Sequence, residues 1–381
     1  MNRRAAERLP LDDALQAFAS AIARVAAAAY DIDPPSVAFE APRRAEFGDF
    51  ATNVAFSLAK TARRSPQLLA TEIVERLRHD APDLRDSFSS IDPVAGFINA
   101  RLAPSIWQGV IATVLREGDR FGKAPRQNKR VSLEFGSANP TGPLVVVQGR
   151  SMSIGDTLAN AMRFRGYDVF TEWIINDAGG QLDALGRSIY ARYRQEFDSL
   201  YPFPEDGYPG EYLIPIARTV AQRDGDKWTR TPEAEWLPYF AKFGRDWLVA
   251  EQKETACRFG VAYDRWQSEA ELHETGKVRE GIEHLQRLGL TYEQDGALFF
   301  RATQFGDDKD RVLLRRDGRP TYLAMDVAYH LLKLQQNDRV VDILGPDHHG
   351  YIGRIKGMAA ALGYPGCLDV AIAQQVTLLR G

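Results

Sequence analysis

The feature that most constrains this chain is residues 131–163, VSLEFGSANPTGPLVVVQGRSMSIGDTLANAMR. Residues 131–135 alternate as a strand does, residues 136–143 collect turn formers, and from about Gly149 the apolar residues Met152, Ile154, Leu158, Ala161 and Met162 recur at helical spacing. A strand, a Gly/Pro-rich turn and a helix in that order open a nucleotide-binding α/β sheet, whose helix N-terminus faces phosphate. An ordinary βα turn has the same pattern, so the stretch sets the fold class before it sets a function.

The rest of the chain extends this unit in both directions. Upstream, Leu15, Phe18, Ile22 and Val25 define an amphipathic helix with Asp12 or Asp13 as its cap, ended by Asp33-Pro34-Pro35. A short strand (36–40), a helix ending near Lys60, a helix from Ser65-Pro66 to about Arg78, strands at 91–93 and 96–102 and a helix at 106–117 predict a separate α+β domain over residues 1–118. Residues 119–130 are a polar linker or a basic loop that touches phosphate. Downstream, 167–175 is a second strand ending in the polar run Asn176-Asp177-Ala178-Gly179-Gly180-Gln181, where open α/β sheets place ligand-binding groups. Helices at 181–197, 211–223 and 233–259 surround the irregular segment 202–210 and form an insertion over about 182–285. A hairpin turns at Asp295-Gly296, and 311–314 pairs with 321–323 around Asp317-Gly318. Strands at 340–344 and 370–379, separated by a helix at 351–362, resume the parallel sheet.

Composition narrows the class. The 381 residues are 44% apolar and 26% charged, as in a globular chain of two or three domains. Net charge is −3, with +3 in residues 1–130 and −6 beyond, so bulk charge does not announce a nucleic-acid binder. Cys257 and Cys367 form no Cys-x-x-Cys pair and fit a reducing compartment, and no apolar run reaches membrane-spanning length. A cytoplasmic location is expected.

Over essentially its whole length the sequence resembles the arginyl-tRNA synthetases, a class I aminoacyl-tRNA synthetase family. Ser137-Ala138-Asn139-Pro140-Thr141-Gly142-Pro143-Leu144 is similar to the run that leads into the family's His-x-Gly-His signature, and Ile175-Asn176-Asp177-Ala178-Gly179 to its strand-end motif. The stretches 204–210, 305–312 and Asp347-His348-His349-Gly350-Tyr351 also match. Gly48-Asp49-Phe50-Ala51-Thr52-Asn53 and Gly96-Phe97-Ile98-Asn99 resemble the N-terminal domain that contacts the D-arm side of tRNA. The resemblance implies an α/β fold: a Rossmann-like class I catalytic domain over 131–381 with a helical insertion, behind a small α+β domain. It also implies arginine, ATP with Mg and tRNA as ligands, no resident metal, no membrane and a monomeric protein. Carried over by position, Glu134, Ser137 and Asn139 contact the amino acid, while Tyr322 and Asp326 face the guanidinium. Asp347 and His348 lie near the ribose and amino acid, and Pro143, Leu144, Gly149 and Arg150 lie beside the nucleotide. A carboxylate and an aromatic face suit a planar five-donor fork. The plainer reading of Tyr322 and Asp326 is a strand residue and a helix cap, and that of Asp307-Asp308-Lys309-Asp310 is a solvated turn.

At the catalytic positions the chain departs from the family. Where the pattern is His-Val-Gly-His-Gly-Arg, this chain has Val145-Val146-Val147-Gln148-Gly149-Arg150. Val145 supplies no donor, Val147 adds bulk where the family has glycine, and Gln148 offers an uncharged amide. Losing two charge-assisted bonds of ~1.5–3 kcal/mol each predicts adenylation slower by roughly 10²–10⁴-fold. The sequence given stops at Leu378-Leu379-Arg380-Gly381, where the family continues into a Lys-Met-Ser-Lys loop and an anticodon-binding domain. Two expectations follow: an arginine–tRNA ligase with impaired adenylation, or a non-catalytic relative that binds arginine, another guanidino compound or tRNA. A third, a different amino-acid-transferring enzyme on this scaffold, rests on the altered signature alone.

Overall fold

The computed structural model describes residues 9–377 and Leu379, apart from the side chains of residues 347–349. The chain divides into two compact units between Pro125 and Arg126, inside the polar stretch read as a linker.

In the first unit, α1 (Pro10–Tyr30) buries Phe18, Ile22 and Val25; Asp12 and Asp13 sit in its first turn, where the helix dipole favours them, and not at the cap. No strand forms over 36–40. Pro34 and Pro35 withhold backbone donors just before it, and Glu40 makes only an isolated bridge to Ala51. Then come β1 (Phe50–Thr52), α2 (Val54–Ala62), α3 (Pro66–Asp80), α4 (Leu84–Ser87), β2 (Phe88–Val94), β3 (Phe97–Leu102) and α5 (Pro104–Glu117). The antiparallel order β1-β3-β2 sets Phe50 opposite Ala100 and Thr52 opposite Ile98. The two family-like segments of this unit therefore lie side by side. Gly48 makes the approach possible: its φ is +104° and a Cβ there would stand 2.6 Å from the Ala100 carbonyl oxygen.

The second unit contains β4 (Arg130–Phe135), α6 (Val146–Phe164), β5 (Asp168–Ile175), α7 (Gln181–Gln195), α8 (Leu213–Asp224) and α9 (Glu233–Arg258). It continues with β6 (Arg265–Ser268), α10 (Glu269–Glu274), α11 (Lys277–Arg287), and the small antiparallel sheet β7 (Thr291–Gln294), β8 (Ala297–Phe300) and β9 (Arg311–Leu314). Last come α12 (Tyr322–Gln336), β10 (Arg339–Leu344), α13 (Ile352–Ala361) and β11 (Leu368–Ile372). The main sheet runs β11-β10-β4-β5-β6, and every neighbouring pair is parallel. Buried Leu133 and Phe135 of β4 pack with Met152 and Ala159 of α6 and with Trp173 of β5. Among the described residues, no helix is long and apolar enough to cross a membrane.

Several boundaries differ from expectation, each for a local reason. α6 begins at Val146, because the Gln148 side-chain oxygen accepts the Val145 N–H at 3.1 Å and closes the first turn early. Residues 321–323 are not a strand: only Leu314 and Pro320 bridge, and Tyr322 opens α12. That helix is buried on most sides, so it shows no apolar stripe. The last strand ends at Ile372, because its partner β10 gives way to Gly345 and to Pro346, which lacks an N–H.

Candidate functional site

In an open parallel sheet, ligands gather at the carboxyl ends of strands where the strand order reverses. Here the chain lays β5 and β6 on one side of β4, then returns to lay β10 and β11 on the other, so the reversal falls between β4 and β10. Two cavities open there, one of about 780 Å³ and one of about 310 Å³. Ser137, Asn139, Asn176 and Leu344 line both. The run after β4 is thus the wall between them.

A charged row crosses the sheet and reaches the larger cavity through Asp342 and Glu134. Asp342, Glu134, Glu172 and Arg265 are in lateral register on β10, β4, β5 and β6. Three adjacent buried carboxylates would repel one another without cations. Arg265 pairs with Glu172 at 2.7 Å, and Tyr329 donates to the same carboxylate at 3.2 Å. From α12, fully buried Lys333 pairs with Glu134 at 2.7 Å and with Asp342, which His330 also meets at 2.9 Å. The two carboxylates sharing Lys333 end differently. Burial works against the Asp342 anion, yet Lys333 and His330 together hold it down at about 2. Glu134, with Lys333 as the main cation opposing the same burial, is pushed above the ordinary carboxylate range. Ser137 donates to Glu134 at 3.3 Å.

The opposite end of the same cavity is built by the start of α12. Tyr322, Asp326, Tyr329, His330 and Lys333 fall at helical spacing on one face, so one helix serves both ends. Tyr351 donates its hydroxyl to Asp326. Beside Asp326 lies Glu269, 2% exposed, with Oε2 lacking a hydrogen-bond partner. Burial first, then Asp326 and Asp177, push its carboxyl up to about 7. Asp177, at the end of β5, explains how Glu269 gets there. It accepts Ser268 Oγ at 2.8 Å, the Ala270 N–H at 3.0 Å and the Arg245 guanidinium, and so fastens the N-terminus of α10. A buried carboxylate with one unpartnered oxygen, next to a second carboxylate and a tyrosine, is an arrangement that a planar cation would complete.

The smaller cavity is lined by Gly136, Ser137, Asn139, Val147, Gln148 and Asn176, with the end of β10 opposite, and among the described residues none of its lining is charged. Gln148 spends its oxygen on the Val145 N–H, which leaves its amide N–H as a neutral donor. Val145 is exposed at the N-cap of α6. Arg150 and Pro143 are exposed, Leu144 packs toward the sheet core, and Gly149 has only Phe259 within reach of an added Cβ, at 3.9 Å. None of these four lines either cavity. The side chains of Asp347 and His348 lie outside the described residues. Among the described residues the lining suits a nucleoside better than a polyphosphate, because none of their side chains there offsets phosphate charge. Among the described residues, no group of three or more His, Cys, Asp or Glu could hold a metal ion. Asp307 is not in a solvated turn: its buried carboxylate pairs with Arg311 at 2.6 Å and Arg354 at 3.0 Å, which hold it well below the usual range.

Sequence reasoning missed Glu269, Lys333 and His330. For the last two a signal existed, since polar residues at i, i+4, i+8 and i+11 from Tyr322 mark one face of an otherwise apolar helix. Glu269 had none, because its place depends on Asp177 capping α10.

Residues 12–102 match the family described as the arginyl tRNA synthetase N terminal domain. The arginine–tRNA ligase of Syntrophotalea carbinolica is 43% identical over 91% of this chain and 63% of its own length. That of Anoxybacillus flavithermus is 40% identical over 92% and 63%. The Thermus thermophilus arginyl-tRNA synthetase structure aligns over 94% of this chain and 65% of its own with a TM-score of 0.67; at 20% identity it speaks for the fold. The chain thus spans just under two thirds of the length of the relatives it matches.

Proposed function

The chain is a relative of the arginyl-tRNA synthetases along nine tenths of its length, and from that premise we propose that the larger cavity binds arginine for transfer to tRNA. Asp326 and Glu269 take the guanidinium, with Tyr322 against its edge or face, and Glu134, Ser137 and Asn139 hold the α-amino and carboxylate end. The observation that carries this reading is Glu269, a buried carboxylate whose Oε2 lacks a partner and which lies close enough to Asp326 and Tyr322 of the cavity lining to act on both, while the far end of that cavity holds Glu134. An arginine fork supplies several donors to two carboxylates at once, and the upward shift of the Glu269 carboxyl is what a bound cation would reverse.

ATP and its Mg belong to the smaller cavity in this reading, where ATP supplies the activated phosphate that the arginine carboxylate attacks. The chain's own contribution there is weak. Asn139 and Ser137 orient the shared wall, and Gln148 offers one neutral donor, while Val147 narrows the space. Adenylation is therefore impaired, and a lining uncharged among the described residues favours, as the second reading, a protein that binds arginine or another guanidino compound without activating it. The first unit is proposed to contact the D-arm side of tRNA, and the protein to act as a cytoplasmic monomer.

Calorimetry with arginine and with citrulline, which replaces the guanidinium by a neutral urea of the same shape, tests the pocket. Arginine should bind at least about 100-fold more tightly, the equivalent of ~3 kcal/mol for charge-assisted bonds; equal binding would overturn the assignment. Pyrophosphate exchange then separates the readings: little exchange supports impaired activation, and exchange at a normal synthetase rate refutes it.

A further inference from the structure

The wall between the two cavities is held in place by the helical insertion. The turn 139–142 contains Pro140 and is followed by Pro143, so one nitrogen in the turn and the one just after it donate nothing, and its carbonyls carry the fastening. Gln252, in α9 and 1% exposed, donates its side-chain amide to the Asn139 carbonyl at 3.1 Å and to the Gly142 carbonyl at 3.0 Å. Tyr212, just before α8, donates its hydroxyl to the Thr141 carbonyl between them, at 2.6 Å. Three carbonyls in a four-residue turn thus bind two side chains that arrive from more than 70 residues downstream. The Oε1 of Gln252 has no partner, although it is buried. The carboxamide is therefore oriented by its two bonds to the turn. Farther along α9, Trp236 stacks on Tyr190 of α7 with centroids 3.7 Å apart, which ties the two helices together.

We propose that Gln252 and Tyr212 are positioning residues that set the Asn139 side chain at the junction of the two cavities, making the insertion a structural determinant of ligand affinity. This rests on the reading of Asn139 as an amino-acid contact. Gln252 touches neither cavity; it acts through the peptide that carries Asn139. Removing its two donors frees the carbonyls at both ends of the turn while leaving the sheet and α9 intact.

The test is a double-mutant cycle on arginine binding by calorimetry, using the chain as it stands, with Gln252→Met (near-equal volume, no donor), Asn139→Ala and the pair, and with Tyr212→Phe alongside. Gln252→Met should weaken arginine about tenfold in the parent and have no further effect in Asn139→Ala, because the positioned group is gone. Full multiplication of the two losses, or wild-type binding by Gln252→Met, overturns the proposal. Amide hydrogen exchange supplies a second readout that a general loss of stability would not mimic. Residues 139–145 should exchange faster in Gln252→Met and Tyr212→Phe while α9 and β4 keep their protection; unchanged exchange in the turn refutes the clamp. If Asn139→Ala leaves arginine binding intact, the contact assigned to Asn139 is wrong and the exchange data alone decide whether the clamp exists.

Discussion

Replacing Glu269 by glutamine should stabilise the folded chain and weaken its ligand binding at once. In the fold this carboxyl is 2% exposed and pushed up to about 7 from its ordinary 4.5, by burial first and then by Asp326 and Asp177. A folded value above the unfolded one means that the folded state holds the proton more tightly. The associated stability is present at acid pH and is lost as pH rises from 4.5 through about 7. At ~1.4 kcal/mol for each tenfold difference in proton affinity, ionisation costs the fold about 3 kcal/mol at pH 8 and under about 1 kcal/mol at pH 5. Glutamine does not titrate, but its unpartnered amide costs ~1 kcal/mol at either pH. The expected net gain is thus ~2 kcal/mol at pH 8 and about zero at pH 5. Urea unfolding at the two pH values measures it, and arginine titration of the same samples should show affinity reduced by one to two orders of magnitude. A variant less stable than wild type at pH 8, or a difference that does not change with pH, would refute the account of Glu269 as a strained carboxylate awaiting a cation.

Other consequences can be checked separately. Arginine affinity in the wild type should fall about tenfold between pH 8 and pH 6, as Glu269 takes up a proton, and Glu269→Gln should flatten the profile. Lys333→Met leaves Glu134 and Asp342 buried without their ammonium and should cost ~3–5 kcal/mol in denaturant unfolding. An added Cβ at Gly155 would stand 2.0 Å from Phe135 Cγ, so Gly155→Ala should lower the unfolding free energy by ~1–3 kcal/mol. The triple change Val145→His, Val147→Gly and Gln148→His should raise pyrophosphate exchange at least tenfold; no increase would show that the signature is not the limiting defect.

The sequence by itself determined the fold class, the parallel strands β4, β5 and β10, the hairpin at Asp295-Gly296 and the kinship, because these depend on local period, turn chemistry and contiguous motifs. It also placed Glu134, Ser137, Asn139, Tyr322 and Asp326, which the fold brings to one cavity. Pro143, Leu144, Gly149 and Arg150, assigned to the nucleotide by resemblance, line neither cavity. Only the tertiary structure decided the rest. α12 is apolar almost all round, so its polar face means nothing until β10, β4 and β5 set Asp342, Glu134 and Glu172 in register beneath it. Glu269 comes beside Asp326 because Asp177 binds the N–H of Ala270, 93 positions away, and Gln252 reaches the turn because α9 folds back across it. These are long-range pairings between residues that are unremarkable in their own neighbourhoods. Local sequence cannot encode them, because their energy exists only once the sheet has brought the charges together and excluded water from between them.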